Sequence, residues 1–503
     1  MLGIVVILCG LIICLLYYYL TAPYNIWKTF NIPGPPPMPF FGTMKDVILH
    51  KTSLKKYLKN LYDIYENTPF VGMFYMREPV LMIKDPEYIK DIFVKDAALF
   101  SSRGFFSERN EDIMKHSFFF ADGRIAQPIR SKISSILMPS KLKDMYRMML
   151  KIMKLLDNYI EELLSRNGHV INCTDMASKL ILDVVGHTIL GIEMQNLTKG
   201  MTEGNEIVTF SKLKQRETFW GNLTKIIMRK ISPRLYNWIN NYLFDNVKTS
   251  QNLVDFIFNI MKYREEHGIV KSDAISIMME LKQNRKHFAE IMDTDITDEF
   301  IASQVYTLIF AAYETSKVTI CLTLYELALN QNVQDKLRKE IRDVYERNNN
   351  EMDFENINAM PYLKAIIYET LRKYPVADCI QRETSSSYTF KNTNITVQKN
   401  QKVLIPLYAI HYDSKIYPQP EIYDPDRFMD QTIQHSTYFL SFGRGPRNCI
   451  GERLAVLQIK IALISILRNY KLDVCEKTLL KLTINEMVNK PDVDIFLKMT
   501  RIN

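Results

Sequence analysis

Between Thr297 and Leu329 the chain runs for 33 residues without a proline or a glycine, its apolar side chains recurring at helical spacing. A helix of that length is about 50 Å long, enough to traverse a domain, so the rest of the chain must be arranged around it. Thr297 can cap its start, and Asp298 and Glu299 suit the positive end of the helix dipole. Its middle, Val305 to Ala312 (VYTLIFAA), is apolar enough that it must be buried. Glu314 and Thr315 follow at once, then Ser316. A carboxylate and a hydroxyl in the interior of a buried helix cost desolvation unless satisfied, which makes Glu314 and Thr315 candidate catalytic residues.

Further helical patterns cover residues 141–166, 173–193, 251–265, 273–283, 333–347, 361–373 and 451–468. Residues 69–84 (PFVGMFYMREPVLMIK) predict two short strands joined near Arg77-Glu78-Pro79, and a second strand-like region lies around 385–407. The expected fold is mainly α with small β-sheets. No internal repeat is visible, which excludes solenoids and propellers. Seven cysteines in 503 residues, odd in number and widely spaced, do not form a disulfide framework and suit a reducing compartment. A balance of 64 Lys+Arg against 56 Asp+Glu is too mild for a nucleic-acid binder. The eight histidines are scattered with no metal-like i, i+4 pair, so His411 and the others read as structural. No phosphate loop or strand-associated G-x-G-x-x-G marks a nucleotide site.

Residues 2–20 carry no charge over 19 positions, long enough as a helix to cross a bilayer once. A cleaved signal peptide would have a shorter apolar core with basic residues before it. The first charge is Lys28, with Lys45, Lys51, Lys55 and Lys56 beyond, which predicts an uncleaved anchor with the remaining chain cytoplasmic. Residues 21–39 read as a linker with a stiff proline-rich hinge (Ile32 to Pro39), and residues 40–503 as one large domain. Trp27 follows the anchor, and Trp220 and Trp238 lie in a stretch holding Lys212, Lys214, Arg216, Lys225, Arg229, Lys230 and Arg234. That pattern suits a second, interfacial membrane contact, or equally a solvated basic helix pair with core tryptophans.

The loop Phe442-Gly443-Arg444-Gly445-Pro446-Arg447-Asn448-Cys449-Ile450-Gly451 precedes the last helical pattern. Glycine and proline allow a tight turn, Gly451 lets the backbone pass closely behind the sulfur, and a helix start favours thiolate, so Cys449 is presented as an anionic metal ligand. This loop resembles the F-x-x-G-x-R-x-C-x-G haem loop of the cytochrome P450 superfamily, the haem-thiolate monooxygenases. A chance match of its five fixed positions in such a chain is on the order of 10⁻⁴. Glu369-Thr370-Leu371-Arg372 resembles the family's E-x-x-R helix motif and Pro425-Asp426-Arg427-Phe428 its downstream partner, so a buried ion network of Glu369, Arg372 and Arg427 is implied. Arg382 and Arg447 match positions that bind the haem propionates, and Arg130 matches the arginine of W-x-x-x-R, with Ala126 where the family has Trp. Pro128 is tolerable in that helix only near its start, where a missing N–H has no partner. Ala311-Ala312-Tyr313-Glu314-Thr315 resembles [A/G]-G-x-[D/E]-T, whose acid and hydroxyl help deliver protons during oxygen activation. Ala312 departs from the usual glycine.

The resemblance implies the cytochrome P450 fold, haem (iron protoporphyrin IX) as cofactor with Phe442, Cys449 and Gly451 in its loop, and a monooxygenase. With no nucleotide site of its own, the chain would take NADPH-derived electrons from NADPH–cytochrome P450 reductase, with a small b-type cytochrome as an auxiliary donor. Arg444, Arg453 and Lys132 are expected on the donor's side. The Phe105-Phe106 and Phe118-Phe119-Phe120 segments and Ala377 to Ile380 match pocket positions, which implies a hydrophobic small-molecule substrate. The overall pattern is most like insect microsomal members that oxidise toxins, on the endoplasmic reticulum membrane. Two rival readings are a haem-thiolate isomerase or dehydratase acting on peroxides, and a non-catalytic haem- or ligand-binding protein.

Overall fold

The computed structural model describes residues 2–104, 116–199, 246–349, 351–480, 491 and 493–502. Phe105, Phe106, Trp220, Trp238 and the basic residues around those tryptophans lie outside the described residues. The uncharged N-terminal stretch forms helix α1 (Leu2–Thr21), long and apolar enough to cross a membrane, with its apolar side chains exposed.

The residues after α1 are packed against the body. Trp27 is only 3% exposed, and its indole N–H donates to the Met73 carbonyl at 2.9 Å. This corrects the interfacial reading of Trp27: its polar atom finds a carbonyl inside the protein and has no need of a headgroup. Room for the ring comes from Gly72, where a Cβ would approach the indole to 2.4 Å. The Tyr24 hydroxyl lies 2.9 and 3.1 Å from the Met38 and Met76 carbonyls. The Gly72 amide donates to the Pro33 carbonyl at 2.9 Å, and a Cβ on Gly34 would meet the Gly72 carbonyl oxygen at 2.0 Å, so the proline segment lies tight along the sheet. Arg77 reaches back to α1, donating from Nε to the Tyr19 carbonyl at 2.8 Å with its guanidinium 3.5 Å from the Tyr19 ring centroid.

Helix α2 (Leu54–Ile64) is capped by Ser53 and leads into strands β1 (Phe70–Tyr75) and β2 (Glu78–Ile83). The hairpin turns at Met76 and Arg77, with Met76 at φ +53°, so Glu78 and Pro79 already belong to β2. A small three-stranded sheet has the order β3-β9-β8, from β3 (Val170–Asn172), β8 (Tyr470–Asp473) and β9 (Phe496–Arg501). The strand-like region after residue 380 resolves into β4 (Ile380–Glu383), the short hairpin of β5 (Tyr388–Thr389) and β6 (Thr396–Val397), and β7 (Lys402–Ile405). The main sheet has the order β1-β2-β7-β4, with β2 and β7 parallel and the other pairs antiparallel.

The helical body holds α3 (Gly123–Ile136), α4 (Pro139–Asn167), α5 (Cys173–Val185), α6 (Asn246–Glu266), α7 (Ala274–Gln283), α8 (Asp298–Leu329), α9 (Gln331–Arg347), α10 (Pro361–Lys373) and α11 (Glu452–Asn469). Thr297 caps α8 through the Phe300 amide at 3.1 Å. As its apolar middle requires, α8 passes through the core and packs on α5, α6, α10 and α11. Asp122 caps α3 at the Arg124 and Ile125 amides. Pro128 stands sixth in α3, beyond the first turn where the sequence reading placed it, so the helix forgoes a bond to the Arg124 carbonyl. The helix persists because Ala126, Ile129, Ile133 and Ile136 bury its inner face.

Candidate active site

The cysteine loop is shaped by two glycines. Gly443 and Gly445 have φ +67° and +70°, and a Cβ on Gly445 would lie 1.7 Å from the Phe93 carbonyl oxygen, a position no other residue can take. A short 3₁₀ turn (Gly445–Arg447) follows, and the Cys449 amide closes the loop by donating to the Phe442 carbonyl at 2.7 Å. The half-buried Phe442 ring stands 6.3 Å from Tyr368 of α10. Gly451 departs from expectation: no protein atom lies within 4 Å of where its Cβ would be, so crowding behind the sulfur is not what calls for glycine there.

Cys449 keeps accessible surface, yet protein surrounds it closely. Burial pushes its thiol up, against the Gly451 amide and the Arg103 and Arg130 charges that pull it down. Desolvation thus opposes the thiolate that the Gly451 amide and the two arginines favour. Coordination to a metal cation deprotonates a thiol outright.

Four arginines converge beside this sulfur. Arg447 donates to the Ala121 carbonyl at 3.1 Å, while its Nε and Nη1 are buried without a partner. Arg382, on β4, donates to the Gln381 carbonyl at 2.8 Å. Arg130, on α3, donates to the Pro446 and Asn448 carbonyls at 3.2 and 3.0 Å and so braces the loop itself. The fourth, Arg103, escaped the sequence reading; it donates to the Phe119 carbonyl at 2.7 Å and to the Arg447 carbonyl at 3.4 Å. Its only local sign is that it precedes Gly104, a residue at φ +62°. Among the described residues no carboxylate forms an ion pair with any of the four. Burial and the neighbouring guanidiniums push Arg382 down to about 9 and Arg447 down to about 10, and hold Arg103 well below its ordinary value. Such a cluster is electrostatically incomplete without an anion, and forked donors match carboxylates. A planar metal-bearing group with two carboxylates, such as haem, fits this donor set: sulfur for the metal, guanidiniums for the carboxylates.

Glu314 and Thr315 are adjacent on α8 but engage different partners. Thr315 Oγ1 donates to the Ala311 carbonyl at 2.6 Å, and Ala311 is exposed although α8 runs through the core, which places that face on an internal space. Glu314 is buried and paired at 2.6 Å with Lys317, one turn on, whose ammonium also lies 4.7 Å from the Tyr313 ring. The helix runs unbroken through Ala312, which packs against the core, and Gln458 of α11 hydrogen-bonds Ser316 beside it.

Beneath the loop, Glu369 and Arg372 are fully buried and doubly bonded, Nε to Oε2 at 2.7 Å and Nη2 to Oε1 at 2.9 Å. The Asp424 amide donates to Glu369 Oε1 at 2.9 Å, and Arg427 Nε stands 3.7 Å from the same oxygen. Arg372 also donates to the His411 and Pro420 carbonyls at 2.9 and 2.8 Å. His411 Nδ1 lies 3.1 Å from the Arg372 carbonyl, and its Nε2 accepts from the Leu440 amide at 3.4 Å, two residues before the loop begins. Glu369 thus organises the segment on which the cysteine loop is mounted.

Of the basic residues expected to face a donor, Lys132 is paired with Glu280 and Arg444 donates to the Gln434 and Ser436 carbonyls. Arg453, in the first turn of α11, is exposed.

Residues 32–499 match the family model described as Cytochrome P450. Among curated proteins the chain is 31% identical over 487 residues to Cytochrome P450 6B1 of Papilio polyxenes, covering 94% of this chain and 93% of that one. It is 31% identical over 479 residues to Cytochrome P450 6j1 of Blattella germanica (94% and 92%) and 30% identical over 468 residues to Probable cytochrome P450 6a13 of Drosophila melanogaster (92% and 92%). Because the match runs the length of the folded body and not merely through the loop that first suggested it, the chain belongs to the cytochrome P450 family, whose members are oxidoreductases of the monooxygenase type.

Proposed function

We propose that this protein is a membrane-anchored monooxygenase that inserts one oxygen atom from dioxygen into a small hydrophobic substrate, either a foreign toxin or an endogenous lipid-like compound. Electrons come from NADPH through NADPH–cytochrome P450 reductase, with a small b-type cytochrome as auxiliary donor, at the endoplasmic reticulum membrane. The observation that carries the reading is the pairing of Cys449 with four converging guanidiniums, one of which keeps two buried nitrogens without a partner. Haem bound there supplies thiolate-ligated iron for oxygen activation.

The chain's own residues do the rest. Cys449 holds the metal, and Arg103, Arg130, Arg382 and Arg447 hold the carboxylates and balance their charge. Thr315 spends its proton on the Ala311 carbonyl, so its oxygen is left to accept a hydrogen bond and can hold a water for proton delivery. Glu314, one residue away and paired with Lys317, supplies the carboxyl group of that relay. Phe118 to Phe120 supply the apolar wall that excludes bulk water and accepts a lipophilic substrate. Arg453 offers the charge that an acidic electron donor meets. The α1 span and the insect relatives support the anchored, microsomal placement.

The test is the carbon-monoxide difference spectrum of the dithionite-reduced membrane protein with Cys449→Ala alongside, followed by NADPH consumption with reductase. A red-shifted Soret band lost in the variant, and NADPH-dependent product, support the proposal. Product from hydroperoxide alone would favour the isomerase reading, and absence of haem would overturn the assignment.

A further inference from the structure

Gln304 lies on α8, one turn before Leu308 and two before Ala311, and has no exposed surface. A fully buried amide must place both its oxygen and its nitrogen, and this one places them on a loop far away in sequence. Its Oε1 accepts from the Phe118 amide at 2.8 Å, and its Nε2 donates to the His116 carbonyl at 2.7 Å, with the Phe300 carbonyl and Ser303 Oγ at 2.9 and 2.8 Å. One side-chain amide therefore ties both the N–H of residue 118 and the C=O of residue 116 to α8. Thr307, one turn on, adds a second fastening: its Oγ1 lies 2.6 Å from Ser117 Oγ, which in turn accepts from the Phe119 amide at 3.0 Å.

The residue these bonds fix is Phe119. It is 36% exposed although its neighbours Ser117 and Phe118 are buried, its ring lies 4.0 Å from the Arg103 guanidinium, and its carbonyl accepts from Arg103. Phe120 packs edge-on at 5.1 Å. The long helix therefore holds, through two polar side chains, an aromatic pair that touches the arginine cradle.

We infer that Gln304, assisted by Thr307, is a positioning residue that sets the roof of the substrate pocket by clamping residues 116–118 and so fixing the place of Phe119. The inference rests on the proposed function, since it takes the space beside Phe119 and Ala311 as the substrate's. The clamp determines which sizes of apolar ligand fit and leaves the chemistry at the metal untouched.

The experiment uses the full-length holoprotein and Gln304→Met, which keeps volume and removes both hydrogen bonds to the loop together with those to Phe300 and Ser303 of its own helix. Two readouts are taken: hydrogen–deuterium exchange of the peptide spanning 116–121, and dissociation constants from Soret shifts for imidazole and for 4-phenylimidazole. The expected result is exchange in that peptide at least tenfold faster, consistent with losing two hydrogen bonds of about 1 kcal/mol each. Imidazole affinity should stay within about twofold, and 4-phenylimidazole affinity should change about fivefold or more. Unchanged exchange overturns the clamp; faster exchange with an unchanged affinity ratio overturns its role in pocket shape. If Gln304→Met does not load haem, Thr307→Val, which cuts the bond to Ser117 and leaves the Phe119 amide its partner, is read the same way with smaller effects expected. Failure of the wild-type protein to load haem would instead refute the underlying reading of the site, while the exchange comparison would still decide the clamp.

Discussion

His411 offers a direct test of the buried network, because both of its ring nitrogens are committed in one tautomer. Nδ1–H faces the Arg372 carbonyl, and Nε2 accepts from the Leu440 amide, so a proton on Nε2 would break the second bond and put a cation beside Arg372. Burial first, and the Arg372 charge second, push this imidazole down to about 3. A histidine held below its unfolded value of about 6.5 gives its full stability above that value and loses it as the pH falls, down to the folded value. At pH 5 the unfolded imidazole is mostly protonated and the folded one is not. The linkage then removes about 2 kcal/mol relative to pH 8. His411→Asn can still donate to the Arg372 carbonyl but cannot titrate, so it should be less stable at pH 8 and lose about 2 kcal/mol less than wild type on going to pH 5. Urea unfolding of the detergent-solubilised protein at pH 8, 6.5 and 5 measures this, because every other titrating group is common to both proteins. Parallel pH profiles would refute the argument, showing that His411 is protonated within the fold.

Glu369→Ala leaves Arg372 buried without its carboxylate and should cost about 3–5 kcal/mol, read as loss of carbon-monoxide-binding protein, whereas Arg427→Ala, at 3.7 Å, should cost markedly less. Gly445→Ala should prevent the cysteine loop from closing, because of the Phe93 carbonyl and the positive φ. Gly451→Ala should change urea stability by less than about 1 kcal/mol, any further defect appearing as weaker haem retention. Arg453→Ala should slow reduction by reductase in stopped-flow traces and flatten its dependence on ionic strength, since Lys132 and Arg444 are already engaged.

What the sequence disclosed was whatever is local. The long helix was legible because its cap, its acidic first turn and its apolar middle are contiguous, and the cysteine loop because glycines at positive φ leave a mark in one short segment. Glu369 and Arg372 share a helix face, so their pairing could be read from spacing; that the same carboxylate also takes the Asp424 amide could not. Trp27 was misread because an indole beside an apolar stretch carries no sign of a carbonyl 46 residues further on. Arg103 and Gln304 were missed for the same reason: each acts on backbone more than 180 residues away, and no periodicity records such a partner. The Lys317 partner of Glu314, by contrast, lay in plain view at i+3.

The fastening of Tyr19, Tyr24 and Trp27 to the first hairpin has a mechanical consequence. A helix of 20 residues spans about 30 Å, and the angle at which such a helix stands in a bilayer depends on the bilayer's thickness. On a loose tether that angle would be lost within a few residues. Here the indole seated on Gly72, the tyrosine bridging two carbonyls and the arginine gripping Tyr19 make the helix and the hairpin one lever. If α1 spans a bilayer as proposed, a thinner or thicker membrane that leans the helix leans the hairpin with it, so lipid composition becomes a setting for the attitude of the body behind it.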